Sequence, residues 1–390
     1  MNSFEKRITF SLSLVSGIRL SGLFMLLPVL PVYTHNLPHA SLFLTGLAMG
    51  IYGFPQALLQ IPAGYLSDYT GRKPIIIAGL LLFAAGSLVA ALFSNNIWAI
   101  IIGRFLQGTG AIASATIALL TDLVCERYRT RAMAFFGMSI GCSFCLAMVL
   151  GPLLAANYGV TSIFWLTFIF CFIAIGIVSY MVPESAIPIT QGKKYLNPKA
   201  IGQILLEKNK WPLLTGVFVL HFTLVGLFMS LPILLQTHAG IPFKYHGWIY
   251  LSVLILSFII MLPFIILSEK KDCLVQCISG AIGIMLIAAI WLVATPFHFT
   301  SLMTGTFLYF IAFNFLEAAL PSMLSRYASA SLKGVTMGIY SSFQFLGAGA
   351  GGLFSGFVTQ HYGYRVLLIT YCLFIICWWI ITFLCRQKSL

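Results

Sequence analysis

Charged side chains are scarce in this sequence. Only 8% of its 390 residues are Asp, Glu, Lys or Arg, whereas soluble domains carry roughly 25% charged residues. Hydrophobic residues make up 60% of the chain. This composition excludes an ordinary soluble protein and indicates a chain that lies in a lipid bilayer.

Motifs that hold a metal, a phosphate or a catalytic nucleophile are also missing from the sequence. The nine cysteines form no CxxC pair and no Cys/His ligand cluster, and most lie within apolar segments. No nucleophile elbow and no phosphate-binding loop occurs, which argues against an enzyme and against an ATP-powered pump. We therefore expect no catalytic residue, no metal and no cofactor.

Acidic residues are fewer than basic ones, 9 against 22, which leaves a formal net charge of +13. In a soluble domain this excess would suggest a nucleic-acid partner. Here the cations lie in short loops between apolar segments, where membrane topology explains them better. We expect membrane lipid around the chain and no nucleic-acid partner.

Apolar segments of about 20 residues, the length that crosses a bilayer, occur twelve times. The longest polar interval divides them six and six. The sequence therefore predicts an all-α membrane protein with an N-terminal six-helix bundle (1–182), a cytoplasmic linker (183–210) and a C-terminal six-helix bundle (211–390). The predicted spans lie near residues 10–34, 41–64, 74–94, 97–121, 131–156, 162–182, 211–236, 245–268, 273–295, 299–325, 333–358 and 364–385.

The distribution of Lys and Arg predicts the orientation of the chain. If both termini are cytoplasmic, 18 of the 22 basic residues lie on that side, and only Lys244 and Arg365 lie outside. The remaining two, Arg19 and Arg104, fall within spans. Because positively charged loops stay in the cytoplasm, we expect both termini there.

The two halves repeat weakly. GRFL at 103–106 in the fourth span corresponds to GTFL at 305–308 in the tenth, and GPL at 151–153 corresponds to GGL at 351–353. Repeated six-helix halves place a substrate site near the membrane midplane and favour rocking, alternating access. The repeat also argues against a channel.

Residues 64–73, GYLSDYTGRK, form a short charged loop between the second and third spans. Gly64 and Gly71 permit close helix approach or a turn with positive φ. Asp68 can accept hydrogen bonds at a helix start or pair with a cation, and Arg72 stands where a span meets the cytoplasm. The loop is either a solvated turn with topogenic charges or part of the conformational machinery.

Glu317 is the one carboxylate that sits well inside a predicted span. A charged group in the bilayer costs ~2.5–3.5 kcal/mol, so it faces the bundle interior and is a functional candidate. If a carboxylate carries the driving protons, Glu317 is the leading candidate; the alternative is a buried packing partner. Asn314 lies three residues earlier on the same helix face, and we expect it to line the same cavity.

Arg19 and His221 lie at similar depths in the first span of each half. Arg19 keeps its charge, so it needs a carboxylate, carbonyls, water or an anionic ligand. It either binds substrate, forms a conformational pair or ties backbone carbonyls. His221 titrates near neutral pH, but a hydrogen-bonded packing role is the alternative.

Arg104 is accompanied by neutral polar side chains. Gln107 follows it by three positions, and Gln56 and Gln60 form an i,i+4 amide pair in the second span. Together with Tyr52 these residues either line a cavity with hydrogen-bonding groups or hold helices together.

Three motifs at matching spacing resemble those of the major facilitator superfamily. The loop 64–73 resembles the motif between its second and third helices, and IIGRFLQGTGAIASA at 101–115 resembles its fourth-helix motif. Gly151-Pro152, with alanines where glycines are usual, resembles a degenerate fifth-helix antiporter motif. Further segments are similar to YajR-like transporters of the drug/proton antiporter group; they are 19–30, 50–62, 130–135, 312–325 and 337–352.

This resemblance implies roles for the charged residues. It associates Arg104 with proton coupling and places Asp68, Arg72, Asp122 and Arg131 in a cytoplasmic charge network. With the two loop glycines, this network would latch the halves in the outward-open state. Because an exposed ion pair is worth under ~1 kcal/mol, only a partly buried network would serve.

The function expected from these observations is secondary active transport. The first hypothesis is proton-coupled export of small organic or amphipathic compounds by alternating access. The alternative is uptake or export of a specific metabolite, such as a carboxylate siderophore, since arginines suit an anion. We expect a small-molecule substrate, protons as coupling ion, a bacterial inner-membrane location and a monomer.

Overall fold

A computed structural model of the chain describes residues 1–184, 202, 204–271, 273–328 and 332–386, and the side chains of 269, 333 and 386 are not described. Most of the predicted linker 183–210 therefore lies outside the described residues. The described chain consists of helices and short connections, without a β-strand in these ranges. The all-α fold class is confirmed.

Nine helices precede the linker and five follow it in the described part of the chain. Prolines and glycines interrupt three of the predicted spans in the first half, so that each of these spans consists of two helices. The helices before the linker are α1 (Ser3–Phe24), α2 (Leu30–Thr34), α3 (Leu42–Gly50), α4 (Gly53–Thr70), α5 (Arg72–Leu92), α6 (Ile97–Thr109), α7 (Ala113–Leu123), α8 (Glu126–Tyr158) and α9 (Val160–Met181). Those after it are α10 (Trp211–Thr237), α11 (His246–Lys270), α12 (Leu274–Ala294), α13 (Phe299–Tyr327) and α14 (Lys333–Arg386).

Ten helical stretches among the described residues are long and apolar enough to cross a membrane. The last of them contains two spans, because α14 is broken at Gly363, whose φ of 81° is not helical. These stretches give eleven spans. Helix α1, which is more polar, forms the twelfth together with α2. The described chain thus accounts for the twelve predicted spans.

The chain separates into two compact units. The first comprises the described residues of Met1–Ala40 and Ile51–Asn197, and the second those of Ser41–Gly50 and Pro198–Leu390. The core of the first unit includes Leu12, Leu80 and Leu119, all fully buried. Helix α3 belongs to the second unit although it precedes the linker. The predicted domain boundaries stay a prediction.

Glycines at corresponding places in the predicted repeat have corresponding contacts within each unit. A Cβ atom at Gly151 of α8 would collide with the backbone carbonyl oxygen of Met25, directly after α1. A Cβ atom at Gly351 of α14 would collide with the carbonyl oxygen of Phe222 in α10. In each half, a glycine therefore lets the fifth span of that half approach the backbone of its first span closely.

Helix α3 packs on α14 through a second set of glycines, which we call the glycine seam: Gly46 and Gly50 of α3 with Gly349, Gly352 and Gly356 of α14. A Cβ atom at Gly352 would lie 2.6 Å from the carbonyl oxygen of Gly46 and 2.6 Å from the backbone nitrogen of Gly50. Beside the seam, the amide of Phe43 donates a 2.9 Å hydrogen bond to Oε1 of Gln360. The two backbones are in direct contact.

Glu5 lies in the first turn of α1 and connects this helix to the residue before α8. Its Oε2 accepts a hydrogen bond from the Asn2 amide (2.8 Å), while Asn2 Oδ1 accepts from the Glu5 amide, which is a capping box. Its Oε1 accepts from the Cys125 amide at 3.1 Å. These backbone donors, that of Asn2 first, lower the pKa of the Glu5 carboxyl below its ordinary value.

Candidate transport site

Glu317 of α13 and His221 of α10 come together within the second unit. Glu317 Oε2 lies 3.7 Å from His221 Nε2. Gln344 of α14 connects the two, because its Nε2 lies 2.8 Å from His221 Nε2 and 3.3 Å from Glu317 Oε1. Three helices thus contribute one polar cluster to an apolar bundle.

The hydrogen bonds of this cluster define the proton on the histidine ring. His221 Nδ1 lies 3.1 Å from the carbonyl oxygen of Val217, which can only accept, so Nδ1 carries the hydrogen. Nε2 of the neutral ring then accepts from the Gln344 amide. Glu317 Oε1 is occupied by the same amide, whereas Oε2 is buried without a hydrogen-bond partner. Among the described residues, Oε2 is thus the carboxylate oxygen of Glu317 that has no hydrogen-bond partner.

Sequence reasoning singled out Glu317 and His221 but not Gln344. The available signal was a glutamine in the middle of an apolar span. Asn314, predicted to share the cavity, instead donates a hydrogen bond from Nδ2 to Ser257 Oγ of α11 at 3.0 Å. Asn314 is thus close to Glu317 in sequence, and its hydrogen bond connects α13 to α11.

Arg19 of α1 is buried in the first unit. Its side chain is 3% exposed, Nη2 donates to Gln56 Oε1 at 3.1 Å, and Cζ lies 5.2 Å from the centre of the Phe83 ring. No carboxylate of the described residues forms an ion pair with Arg19, and its Nε has no hydrogen-bond partner. The guanidinium is held by a neutral amide and an aromatic face.

Arg104 of α6 lies against Tyr52, as sequence reasoning grouped them. Its Cζ is 4.4 Å from the centre of the Tyr52 ring, a cation–π distance. Arg104 Nη1 donates to Gln107 Oε1 at 3.0 Å, and Gln107 Nε2 donates to Ser87 Oγ at 2.9 Å. This chain of contacts joins α6 to α4 and α5.

The predicted amide pair of α4 is arranged differently from the i,i+4 expectation. Gln56 turns its Oε1 to Arg19, and its Nε2 has no partner among the described residues. Gln60 Oε1 also lacks a partner there, while the backbone oxygen of Gln60 accepts from Ser114 Oγ at 2.9 Å. Both side chains are buried, so unused hydrogen-bonding groups lie near the buried arginine.

The loop motif forms a charge network around Arg72. Arg72, at the start of α5, pairs with Asp68 near the end of α4 and, through Nε, with Asp122 Oδ2 of α7 at 3.2 Å. Arg72 Nη1 also donates to Ser67 Oγ at 2.7 Å. These side chains are 17% to 32% exposed, so the network is partly buried. Gly71, with a φ of 94°, makes the turn that aligns it.

Two further motif residues of the first unit have separate positions. Gly64 faces Ser114 of α7 at a close 3.1 Å for a Cβ atom, which fits close helix approach. Arg131 of α8 is exposed and forms no ion pair with Asp68 or Asp122; it lies instead in a groove with Lys6 of α1. The charge network thus contains Asp68, Arg72 and Asp122, and Arg131 stands apart.

The fifth-span motif lies inside α8, where Gly151 and Pro152 are both buried. Gly151 makes the close approach to Met25. Pro152 has no N–H to donate to the carbonyl one turn earlier in the helix. The motif therefore shapes the packing of α8 on the first span. Within the described residues, no three His, Cys, Asp or Glu side chains are grouped as metal ligands.

A bundle of apolar helices in two units, with small polar clusters inside each, has the architecture of a polytopic membrane protein. Residues 12–316 match the family model of the Major Facilitator Superfamily, and this chain belongs to that family. It is a membrane transporter and not an enzyme.

Relatives of the chain carry transporter names. It is 42% identical over 358 residues to the inner membrane transport protein YajR of Escherichia coli, covering 92% of this chain and 78% of YajR. It is 30% identical to the class H tetracycline resistance protein of Pasteurella multocida over 149 residues, 37% of this chain and 36% of that protein.

Solved structures share the fold. The human organic anion transporter MFSD10 superposes with a TM-score of 0.72 at 19% identity, over 98% of this chain and 100% of that chain. A bacterial homologue of the human lysosomal transporter Spinster, inward-facing and occupied, superposes with a TM-score of 0.76 at 16% identity, over 99% and 98%. At these identities the likeness concerns the fold alone.

Proposed function

We propose that this protein exports small organic or amphipathic compounds in exchange for protons, by alternating access. The observation that carries the proposal is the cluster of Glu317, His221 and Gln344 in the second unit. A carboxylate and an imidazole 3.7 Å apart are two groups that can each bind a proton. The tetracycline resistance relatives support outward transport of such compounds.

The cluster suits reversible protonation for a physical reason. A charged carboxylate inside a bilayer is costly, so in this proposal Glu317 carries the coupling proton through the change between the two conformations. Oε2 is free to receive this proton, while Gln344 holds Oε1 in place. A proton on His221 Nε2 would make this atom a donor that faces another donor, Nε2 of Gln344. The Gln344 amide would then have to rotate so that its oxygen faces the ring.

The experiment compares proton-driven tetracycline transport by purified wild-type and variant protein in liposomes with an imposed pH gradient. We expect Glu317→Gln to abolish the proton-driven flux while the protein remains folded in the membrane. Glu126→Gln, the same substitution at the exposed start of α8, is the matched control and should keep the flux. Unchanged flux in Glu317→Gln would remove Glu317 from the mechanism.

The second candidate function is transport of a specific metabolite that bears a carboxylate. Arg19 favours it, because a buried guanidinium without a carboxylate partner has an unused donor for an anion. Thermal-shift screening of matched carboxylates and amines against the purified protein separates the two candidates. Stabilisation by carboxylates that is lost in Arg19→Gln supports the metabolite, and stabilisation by amines alone supports export of cationic compounds.

We also place the protein in a bacterial inner membrane as a monomer, with both termini in the cytoplasm. The Lys/Arg distribution and the inner-membrane relative support this placement. Reporter fusions at each terminus test the orientation, since a reporter active only in the periplasm should stay silent at both ends. Mass measurement of the purified protein in detergent tests the monomer.

A further inference from the structure

A cationic groove lies at the charged end of α1, where this helix packs on α8. Its volume is about 330 Å³. The residues that line it are Met1, Lys6, Thr9, Phe10, Arg131 and Phe135. All of them belong to the first unit, and none of them takes part in the transport site described above.

The polar groups of the groove are set up for an anion. Lys6 and Arg131 are exposed, and neither forms an ion pair with a carboxylate in the described ranges. Thr9 is 4% exposed, and its hydroxyl has no hydrogen-bond partner there. The neighbouring carboxylate, Glu5, is occupied by the Asn2 and Cys125 amides. Two exposed cations are thus available to phosphate oxygens, and beside them lies a buried hydroxyl without a partner among the described residues.

The apolar wall of the groove continues along both helices. Phe10 and Phe135 stand with ring centres 6.5 Å apart and are 54% and 41% exposed. One turn further from the charged end, Leu14 on α1 and Met138 on α8 are exposed as well. The strip is thus an exposed apolar surface of the kind that lies in hydrocarbon, with the two cations at its charged end.

We propose that this groove binds an anionic phospholipid. Lys6 and Arg131 contact the phosphate, the Thr9 hydroxyl completes its hydrogen bonds, and the acyl chains lie on Phe10 and Phe135. Basic pockets between transmembrane helices recognise anionic headgroups in this way, and each cation near the surface contributes about fivefold in affinity. A small phosphate compound would contact the cations but not the exposed rings of Phe10 and Phe135. A phospholipid would contact both, which favours the lipid as the ligand.

The test uses the full chain in detergent, incubated with equal amounts of phosphatidylglycerol and phosphatidylcholine, with retained lipid counted by native mass spectrometry. We expect the wild type to retain phosphatidylglycerol preferentially. Lys6→Gln and Arg131→Gln should each reduce its affinity about fivefold. Arg7→Gln is the matched control, since it removes an equal charge from the same helix outside the groove lining. It should change the preference little.

Further variants separate a site from a diffuse charge effect. Thr9→Val keeps the shape of the side chain but removes the hydroxyl, so phosphatidylglycerol retention should fall while the thermal midpoint in phosphatidylcholine stays that of the wild type. Equal retention of both lipids by the wild type would overturn the proposal. Equal losses in Arg7→Gln and Lys6→Gln would also overturn it, as would displacement of the lipid by glycerol 3-phosphate at equal concentration.

Discussion

The glycine seam between α3 and α14 predicts opposite effects for the same substitution at two places on one helix. In Gly352→Ala the new Cβ would stand 2.6 Å from two backbone atoms of α3, whereas ordinary contact begins at 3.4 Å. The helices must therefore separate by about 0.8 Å at this point. At Gly334, also in α14, no described atom outside its chain neighbours and its own helix backbone lies within 4 Å of the place that a Cβ would occupy. Gly334→Ala therefore meets no obstacle among the described residues.

The expected magnitudes follow from these distances. Overpacking against atoms that cannot turn away costs about 1–3 kcal/mol, while alanine gains up to about 1 kcal/mol over glycine in a helix. With the full alanine gain, Gly352→Ala should therefore lower the free energy of unfolding by up to about 2 kcal/mol net. Gly334→Ala should leave it unchanged or raise it by up to about 1 kcal/mol.

The assay is thermal unfolding of the purified variants in one detergent, followed by intrinsic fluorescence. A lowered midpoint for Gly352→Ala together with an unchanged or raised midpoint for Gly334→Ala is the expected result. Because α3 continues into α4 of the other unit, transport should also slow in Gly352→Ala. If both variants shifted the midpoint in the same direction, the seam would not be a backbone contact and the reasoning would fail.

Three smaller predictions concern the charged end of the first unit. Asp68→Asn and Asp122→Asn should each cost at most about 1 kcal/mol, because the network is partly exposed, and a double-mutant cycle should show coupling through the shared Arg72. Gly71→Ala should cost about 1–2 kcal/mol in thermal unfolding, because a side chain at a φ of 94° is strained. The lowered pKa of Glu5 contributes stability that is present above its unfolded-state value of 4.5 and is lost as the pH falls through the folded-state value. Glu5→Gln should therefore weaken the fall of the thermal midpoint below pH 4.5, and an unchanged pH profile would contradict this.

Local patterns made much of the fold predictable from the sequence. The spans follow from the length of apolar runs. Asp68 at the end of α4 and Arg72 at the start of α5 are only four residues apart across a short turn, so their proximity follows from the chain itself. The break at Gly363 coincides with the predicted boundary between the last two spans. These features depend on residues close together in the chain, where the chain itself limits the distance.

Contacts between distant segments were not predictable in the same way. Gln344 lies 123 residues from His221, and nothing in the spacing shows that their side chains meet. The resemblance to the family places Arg131 with the loop motif, but in the structure Arg131 lines a groove with Lys6. In a bundle where most surfaces are apolar, hydrophobic pattern does not specify which helices are neighbours, so only the tertiary structure distinguishes these pairings.

The distribution of polar groups constrains how a proton and a substrate would be coupled. The buried cation Arg19 lies in the first unit, whereas the Glu317–His221 cluster lies in the second. A proton and an anionic substrate bound at these two places would not compete for one side chain, so their coupling would have to pass through a conformational equilibrium that both ligands bias. If proton and substrate compete directly, Glu317→Gln should change the substrate affinity even in a protein that is held in one conformation. If the coupling passes through conformation, Glu317→Gln should change the substrate affinity of the free protein. The change should be absent once the protein is cross-linked in one state.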